Sequence, residues 1–192
     1  MGKGMDKYLR LCYNLIDKYE MEGGIMPLSF LPAVMTDALT DILPSWLKKQ
    51  GIRLLMLDFD NTIVPYTTCV PTKQMQAWFE MMAQCDIQIC IVSNSHNDRV
   101  PAFCREYGLD CITHAKKPFS KGIKECLARY NIPAAQAALV GDQIFTDTLG
   151  ANGCGVRAIL VKAIDNHNFW LKARHVLEMP FILLAKNRRL SQ

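Results

Sequence analysis

Residues 52–62 read Ile-Arg-Leu-Leu-Met-Leu-Asp-Phe-Asp-Asn-Thr. The first six are almost wholly apolar, follow a glycine and are few, which predicts a buried strand. Asp58 and Asp60 stand at its carboxyl end, two positions apart. In the bend after a strand, positions i and i+2 can face the same crevice. Carboxylates held that close repel each other unless a cation lies between them.

Outward from this strand the pattern alternates. Residues 72–84 read as a helix, 87–92 as a second buried strand, and 98–107 as a helix stopped by Gly108. A short strand over 111–114, a helix over 120–130, a strand over 137–140, a helix over 144–152 and a strand over 156–161 complete the series. Strand and helix in alternation imply parallel pairing through right-handed crossovers. The expected fold is therefore α/β: a three-layer, Rossmann-like parallel sheet flanked by helices. Upstream, Leu9, Cys12, Tyr13, Ile16 and Tyr19 share a helical face, and Gly23-Gly24 breaks that helix. A further helix is expected over 34–48, kinked at Pro44. The chain divides into an N-terminal helical segment over 1–50, a core over 51–165 and a C-terminal helical extension over 166–192, one domain overall.

Composition sets the class. The chain has 192 residues, half of them hydrophobic and 21% charged, which is a globular balance and enough for a sizeable core. A net charge of +4 falls short of a nucleic-acid-binding balance. The eight cysteines form no C-x-x-C pair and mostly lie in apolar segments, so they read as buried reduced thiols. The charged N-terminus is no signal peptide, Asp6 disfavours myristoylation, and no apolar run is long enough to cross a bilayer. A cytoplasmic protein is expected.

In open α/β sheets ligands bind beyond the carboxyl ends of the strands. There the chain places Asp58 and Asp60, then Ser93-Asn94-Ser95, then Lys116-Lys117-Pro118, then Gly141-Asp142 followed by Asp147. Carboxylates, a hydroxyl and an ammonium thus converge on one crevice. Oxygen-only ligands suit Mg²⁺, and the lysine, the Ser93 hydroxyl and backbone N–H groups suit a phosphoryl group. Ser93-Asn94-Ser95 could equally cap the next helix. His96 and His114 lie near the crevice as structural or substrate-side residues, since oxygens already fill the metal shell.

D-x-D-N-T, a strand ending S-N-S, K-P, and G-D-x-x-x-x-D in this order resemble the haloacid dehalogenase (HAD) superfamily of phosphatases, over about 51–161. The stretch upstream, Leu31-Pro32, Asp41-Ile42, Leu47 and Gly51-Ile52, is similar to the IIIA-type YqeG-like group, related to phosphatidylglycerophosphate phosphatases. The resemblance implies a Mg²⁺-dependent phosphomonoesterase working through an aspartyl-phosphate. It implies that Asp58 is the nucleophile and a metal ligand, and that Asp60 is the acid and base, its backbone carbonyl a further ligand. Thr62 supports that loop, Ser93 and the Asn94 backbone bind phosphoryl oxygens, Lys117 stabilises developing charge, and Asp142 and Asp147 hold the metal. Lys116 competes with Lys117, but the family's lysine stands directly before proline.

Between Asp60 and Ser93, and between Ser93 and Lys117, there is room for a crossover helix but not for a large cap domain. An open crevice admits a large substrate, such as a lipid head group. The apolar segment 25–50, ending in Lys48-Lys49, and Phe181–Leu184 beside a basic tail either pack on the sheet or rest on anionic lipid as a peripheral membrane contact. The alternatives are a phosphatase of a soluble metabolite, nucleotide or phosphoprotein, and a catalytically idle binding or scaffold protein.

Overall fold

A computed structural model describes residues 29–165 and 169–190. The helix expected over 5–19, Cys12 and His167 lie outside the described residues. Six parallel strands, β1 (Val34–Thr36), β2 (Leu54–Leu57), β3 (Gln88–Val92), β4 (Asp110–Ile112), β5 (Ala137–Gly141) and β6 (Arg157–Val161), pair in the order β1-β6-β5-β2-β3-β4. The helices are α1 (Pro44–Lys49), α2 (Lys73–Gln84), α3 (Arg99–Tyr107), α4 (Lys121–Tyr130), α5 (Leu149–Gly153) and α6 (Phe169–Leu184).

Period-two alternation sorts the strand side chains into two cores. Leu55, Leu57, Ile89, Ile91 and Val140 meet Met75, Trp78, Phe79 and Met82 of α2 and Val100 and Phe103 of α3. Leu54, Met56, Cys90, Val92 and Leu139 meet Ile123 and Cys126 of α4 and Ala151 of α5. Every residue of β2 is fully buried, as expected for a central strand covered on both faces. The sheet therefore has three layers, and β2 lies at the switch point between strands running outward in each direction. The described residues contain no inserted cap domain between these elements.

The strand starts at Leu54 rather than at Ile52 because Gly51 and Ile52 finish α1. Gly51 takes φ 71°, Ile52 N–H donates to Leu47 O and Gly51 N–H to Lys48 O, closing the helix in a Schellman motif. Ile52 and Leu47 then share the core.

The single helix expected over 34–48 is not what forms. Val34–Thr36 pairs with β6, and Leu39–Asp41 makes a 3₁₀ turn. Pro44 opens α1 at its first turn instead of kinking a longer helix, the position where its missing N–H costs nothing. The outer side of β1 is covered in turn: Met35 N–H donates to Arg188 O and Leu190 N–H to Met35 O. Leu31, Leu39, Ile42 and Leu47 are buried, so this segment packs on the sheet. Seven cysteines fall in the described residues and all are free thiols.

Trp78 ties that segment to α2 by donating from Nε1 to Ile42 O at 2.8 Å inside the core. Trp78→Phe leaves a buried carbonyl without its donor and is expected to cost about 1–3 kcal/mol. Urea unfolding should show a lower midpoint with an unchanged slope.

Candidate active site

The site grows from the carboxyl ends of four strands. The ladder of β2 runs on into Asp58, whose N–H donates to Val140 O at 2.8 Å. The chain then turns: Asn61 takes φ 63°, its N–H donates to Val64 O and its side-chain amide to Asp165 O at 2.7 Å. Asparagine accepts this left-handed conformation at small cost.

Asp58, Asp142 and Asp147 are buried, and each offers a carboxylate oxygen within 4.8 Å of the others. Two features bring Asp147 in. A Cβ on Gly141 would stand 2.3 Å from Asp147 Cγ, so only glycine lets the strand end approach this side chain. The helix expected over 144–152 also opens differently: Ile144–Thr148 forms a π-helical turn, with Thr148 N–H donating to Gln143 O. That wider turn points Asp147 at the strand ends, where Oδ2 accepts from Gln143 N–H at 3.2 Å. Glu178, 2% exposed on α6, caps the same turn by accepting from Ile144 N–H at 2.9 Å.

One ammonium sits among the three carboxylates. Lys117 Nζ lies 2.6 Å from Asp58 Oδ1 and 2.7 Å from Asp147 Oδ1. Lys116 beside it is exposed, with φ 57°. That kink aims Lys117 inward. The Asn94 side chain fixes it there from both sides, Oδ1 accepting from Lys117 N–H at 2.7 Å and Nδ2 donating to Lys117 O at 2.9 Å. Burial pushes the Asp58 carboxyl up to about 6, with Lys117 opposing and Asp147 adding. Burial also works against the Lys117 ammonium, but Asp147 and Asp58 outweigh it and hold its pKa above the usual lysine value. The lysine is therefore charged throughout the physiological range.

The other expected residues are placed as follows. Ser93 is buried, and its Oγ accepts from Ser95 N–H at 3.1 Å. Thr62 is buried, and its hydroxyl makes no hydrogen bond among the described residues. The Asp60 side chain is not part of the acidic group. It turns to Arg99, with Nη1 2.5 Å from Oδ1. Burial raises the Asp60 pKa and Arg99 opposes the shift. His96 and His114 stack edge to face, ring centroids 4.2 Å apart.

Arg99, Asn94 as a side-chain clamp, and Glu178 escaped the sequence reading. For Arg99 a signal existed. It opens α3, where a cation opposes the helix dipole, so a partner elsewhere was to be expected.

Clustered oxygen donors around a fixed ammonium can hold a divalent ion and a phosphoryl group together. The family profile of the mitochondrial PGP phosphatases matches residues 25–164. A Bacillus subtilis protein named "Probable phosphatase YqeG" is 33% identical over 132 residues, covering 69% of this chain and 77% of that one. Among solved structures, the cobalt-bound deoxy-D-mannose-octulosonate 8-phosphate phosphatase of Haemophilus influenzae superposes with a TM-score of 0.49 and 13% identity, covering 72% of this chain and 92% of that one. A Legionella pneumophila protein named "putative HAD superfamily (subfamily III A) hydrolase" gives 0.49 and 12%, covering 74% and 88%. With its parallel sheet, its four strand-end motifs and a family match across most of its length, the chain belongs to the mitochondrial PGP phosphatase family and is a phosphatase.

Proposed function

We propose that the protein is a Mg²⁺-dependent phosphomonoesterase that works through an aspartyl-phosphate on Asp58 and acts on a lipid phosphate such as phosphatidylglycerophosphate. The observation that carries the chemistry is the buried group of Asp58, Asp142 and Asp147 around the Lys117 ammonium. Three carboxylates and one ammonium leave a net charge of −2, which a divalent cation balances. Oxygen donors fit Mg²⁺. Asp58, Asp142, Asp147 and the Asp60 backbone carbonyl would hold the ion, which would withdraw charge from the phosphoryl oxygens.

Asp58 attacks phosphorus in line, forming a carboxyl–phosphate bond as the ester P–O bond breaks. Asp60 gives its proton to the departing oxygen and then takes one from the water that releases phosphate. Lys117 and Ser93 neutralise the phosphoryl oxygens while charge builds. Thr62 and the Asn94 backbone N–H, beside them, complete the phosphoryl contacts.

The lipid reading rests on the mouth of the crevice. Tyr66, Val70, Phe119 and Ile164 are large, apolar or aromatic and exposed, and all sit on loops after β2, β4 or β6. Lys73, Lys116, Lys121 and Lys162 beside them are exposed too, and residues 65–73 and 115–124 include no acidic side chain. Apolar side chains among lysines suit an anionic lipid surface. No helix among the described residues is long and apolar enough to cross a membrane, so the contact proposed is peripheral.

Phosphate release from 4-nitrophenyl phosphate should require Mg²⁺ and fall at least about 10³-fold in Asp58→Asn, as expected for loss of a nucleophile. Retained turnover in that variant would end the covalent reading. Vesicles carrying phosphatidylglycerophosphate should be hydrolysed faster than glycerol 3-phosphate. Phe119→Ser with Val70→Ser should slow the vesicle reaction and spare the chromogenic one. A preference for the soluble ester would transfer the enzyme to soluble substrates.

Relief of the −2 cluster also predicts a stability change. In EDTA, Asp142→Asn should melt about 2–4 °C above the parent, for roughly 1 kcal/mol of removed repulsion. Mg²⁺ should raise the parent's Tm and leave the variant's nearly unmoved. Calorimetry with and without the ion reads both.

A further inference from the structure

We propose that Arg99 is a positioning residue that ties Asp60 to the loop at 65–69, so that proton delivery to the leaving group depends on this one guanidinium. The inference rests on the assignment of Asp60 as the proton-transfer group.

Four contacts meet on the Arg99 side chain. Nη1 donates to Asp60 Oδ1 at 2.5 Å, Nη2 donates to Pro65 O at 2.7 Å and to Thr68 O, and Nε donates to Cys69 Sγ at 2.9 Å. Its Cζ lies over the Phe59 ring, 5.2 Å from the centroid. Phe59 separates Asp58 from Asp60 and is itself fixed in the core against Phe103 at 5.1 Å. A planar fork spreading its donors in this way holds its partners in fixed directions, which a lysine's single point charge cannot do.

The two halves of this arrangement have different neighbours. Asp60 sits two residues from the proposed nucleophile, yet its carboxylate faces the guanidinium while that of Asp58 faces Lys117. The loop at 65–69 follows Asp60 beyond the carboxyl end of β2 and carries the exposed Tyr66, so the part of a substrate beyond the scissile oxygen would lie against it. Pro65 and Thr68 offer backbone carbonyls, so the loop's position, not its side-chain chemistry, is what Arg99 registers. A leaving group that touches the loop thereby acts on the carboxylate that must reach it. Residues that only stabilise the fold would make these bonds too, so the test must read proton delivery itself.

A series of substituted phenyl phosphates keeps the substrate's shape while varying how badly the leaving oxygen needs a proton. kcat/KM reports the steps through departure of the phenol and omits later water attack. The parent should show a shallow dependence on phenol basicity and Asp60→Asn a steep one. Arg99→Met should be steep as well, losing roughly 10²-fold on phenyl phosphate, within the range of general acid catalysis, but only about threefold on 4-nitrophenyl phosphate. Arg99→Lys should fall between, and it supplies the reading if the methionine variant does not fold. A slope equal to the parent's in the arginine variants, with Asp60→Asn steep, overturns the inference and leaves the acid–base assignment standing. A shallow slope in Asp60→Asn overturns that assignment, and the inference with it.

Discussion

A single ammonium bridging two buried carboxylates is the constraint around which the active end of this protein is organised. Asp58, Asp142 and Asp147 cannot share one small volume on their own terms, because like charges within a few ångströms in a buried site cost more than packing returns. Lys117 offsets part of that cost at 2.6 and 2.7 Å. Much of the surrounding irregularity serves to bring it there. Lys116 takes a left-handed conformation, and the Asn94 amide grips the Lys117 backbone by both its N–H and its carbonyl. On the opposite side, Gly141 yields the space of a side chain, and the π-helical turn rotates Asp147 inward. Such a widened turn inside a helical segment is common at functional sites.

The tight turn after β2 gives Asp58 and Asp60 different lives. One is deeply buried and held by a lysine from beyond β4. The other is half-buried and held by an arginine from the start of α3. Residues two apart in an extended chain would project to the same side. Here the bend at Asn61 and the wedge of Phe59 aim the pair at separate cations. Separate environments for two carboxylates are what chemistry with distinct nucleophile and proton-transfer groups needs.

Much of this is legible in the amino-acid sequence alone. The buried runs at 54–57, 89–92 and 137–141 are short, apolar and bounded by turn residues, and short polar motifs follow each of them. Local pattern therefore reports both the sheet and the residues at its carboxyl edge. What escaped depends on partners remote in sequence. Val34–Thr36 is a strand because β6 is there to pair with it, and three residues carry too little pattern to announce that. Nothing local tells that the Asn94 amide bonds the Lys117 backbone, or that Glu178 caps a turn more than thirty residues before it. The π-helical turn shares its hydrophobic spacing with an ordinary helix, so periodicity cannot separate the two.

The cover over β1 has a consequence of its own. A parallel sheet with an uncovered outer strand offers a row of unsatisfied amides and carbonyls to any extended chain it meets. Here residues 188–190 occupy part of that row with backbone bonds to Met35, and Arg188 adds a side-chain bond to Pro32 O at 3.1 Å. The last stretch of described chain thus works as a selvedge: it finishes the fabric of the sheet and denies neighbouring molecules a place to be woven in.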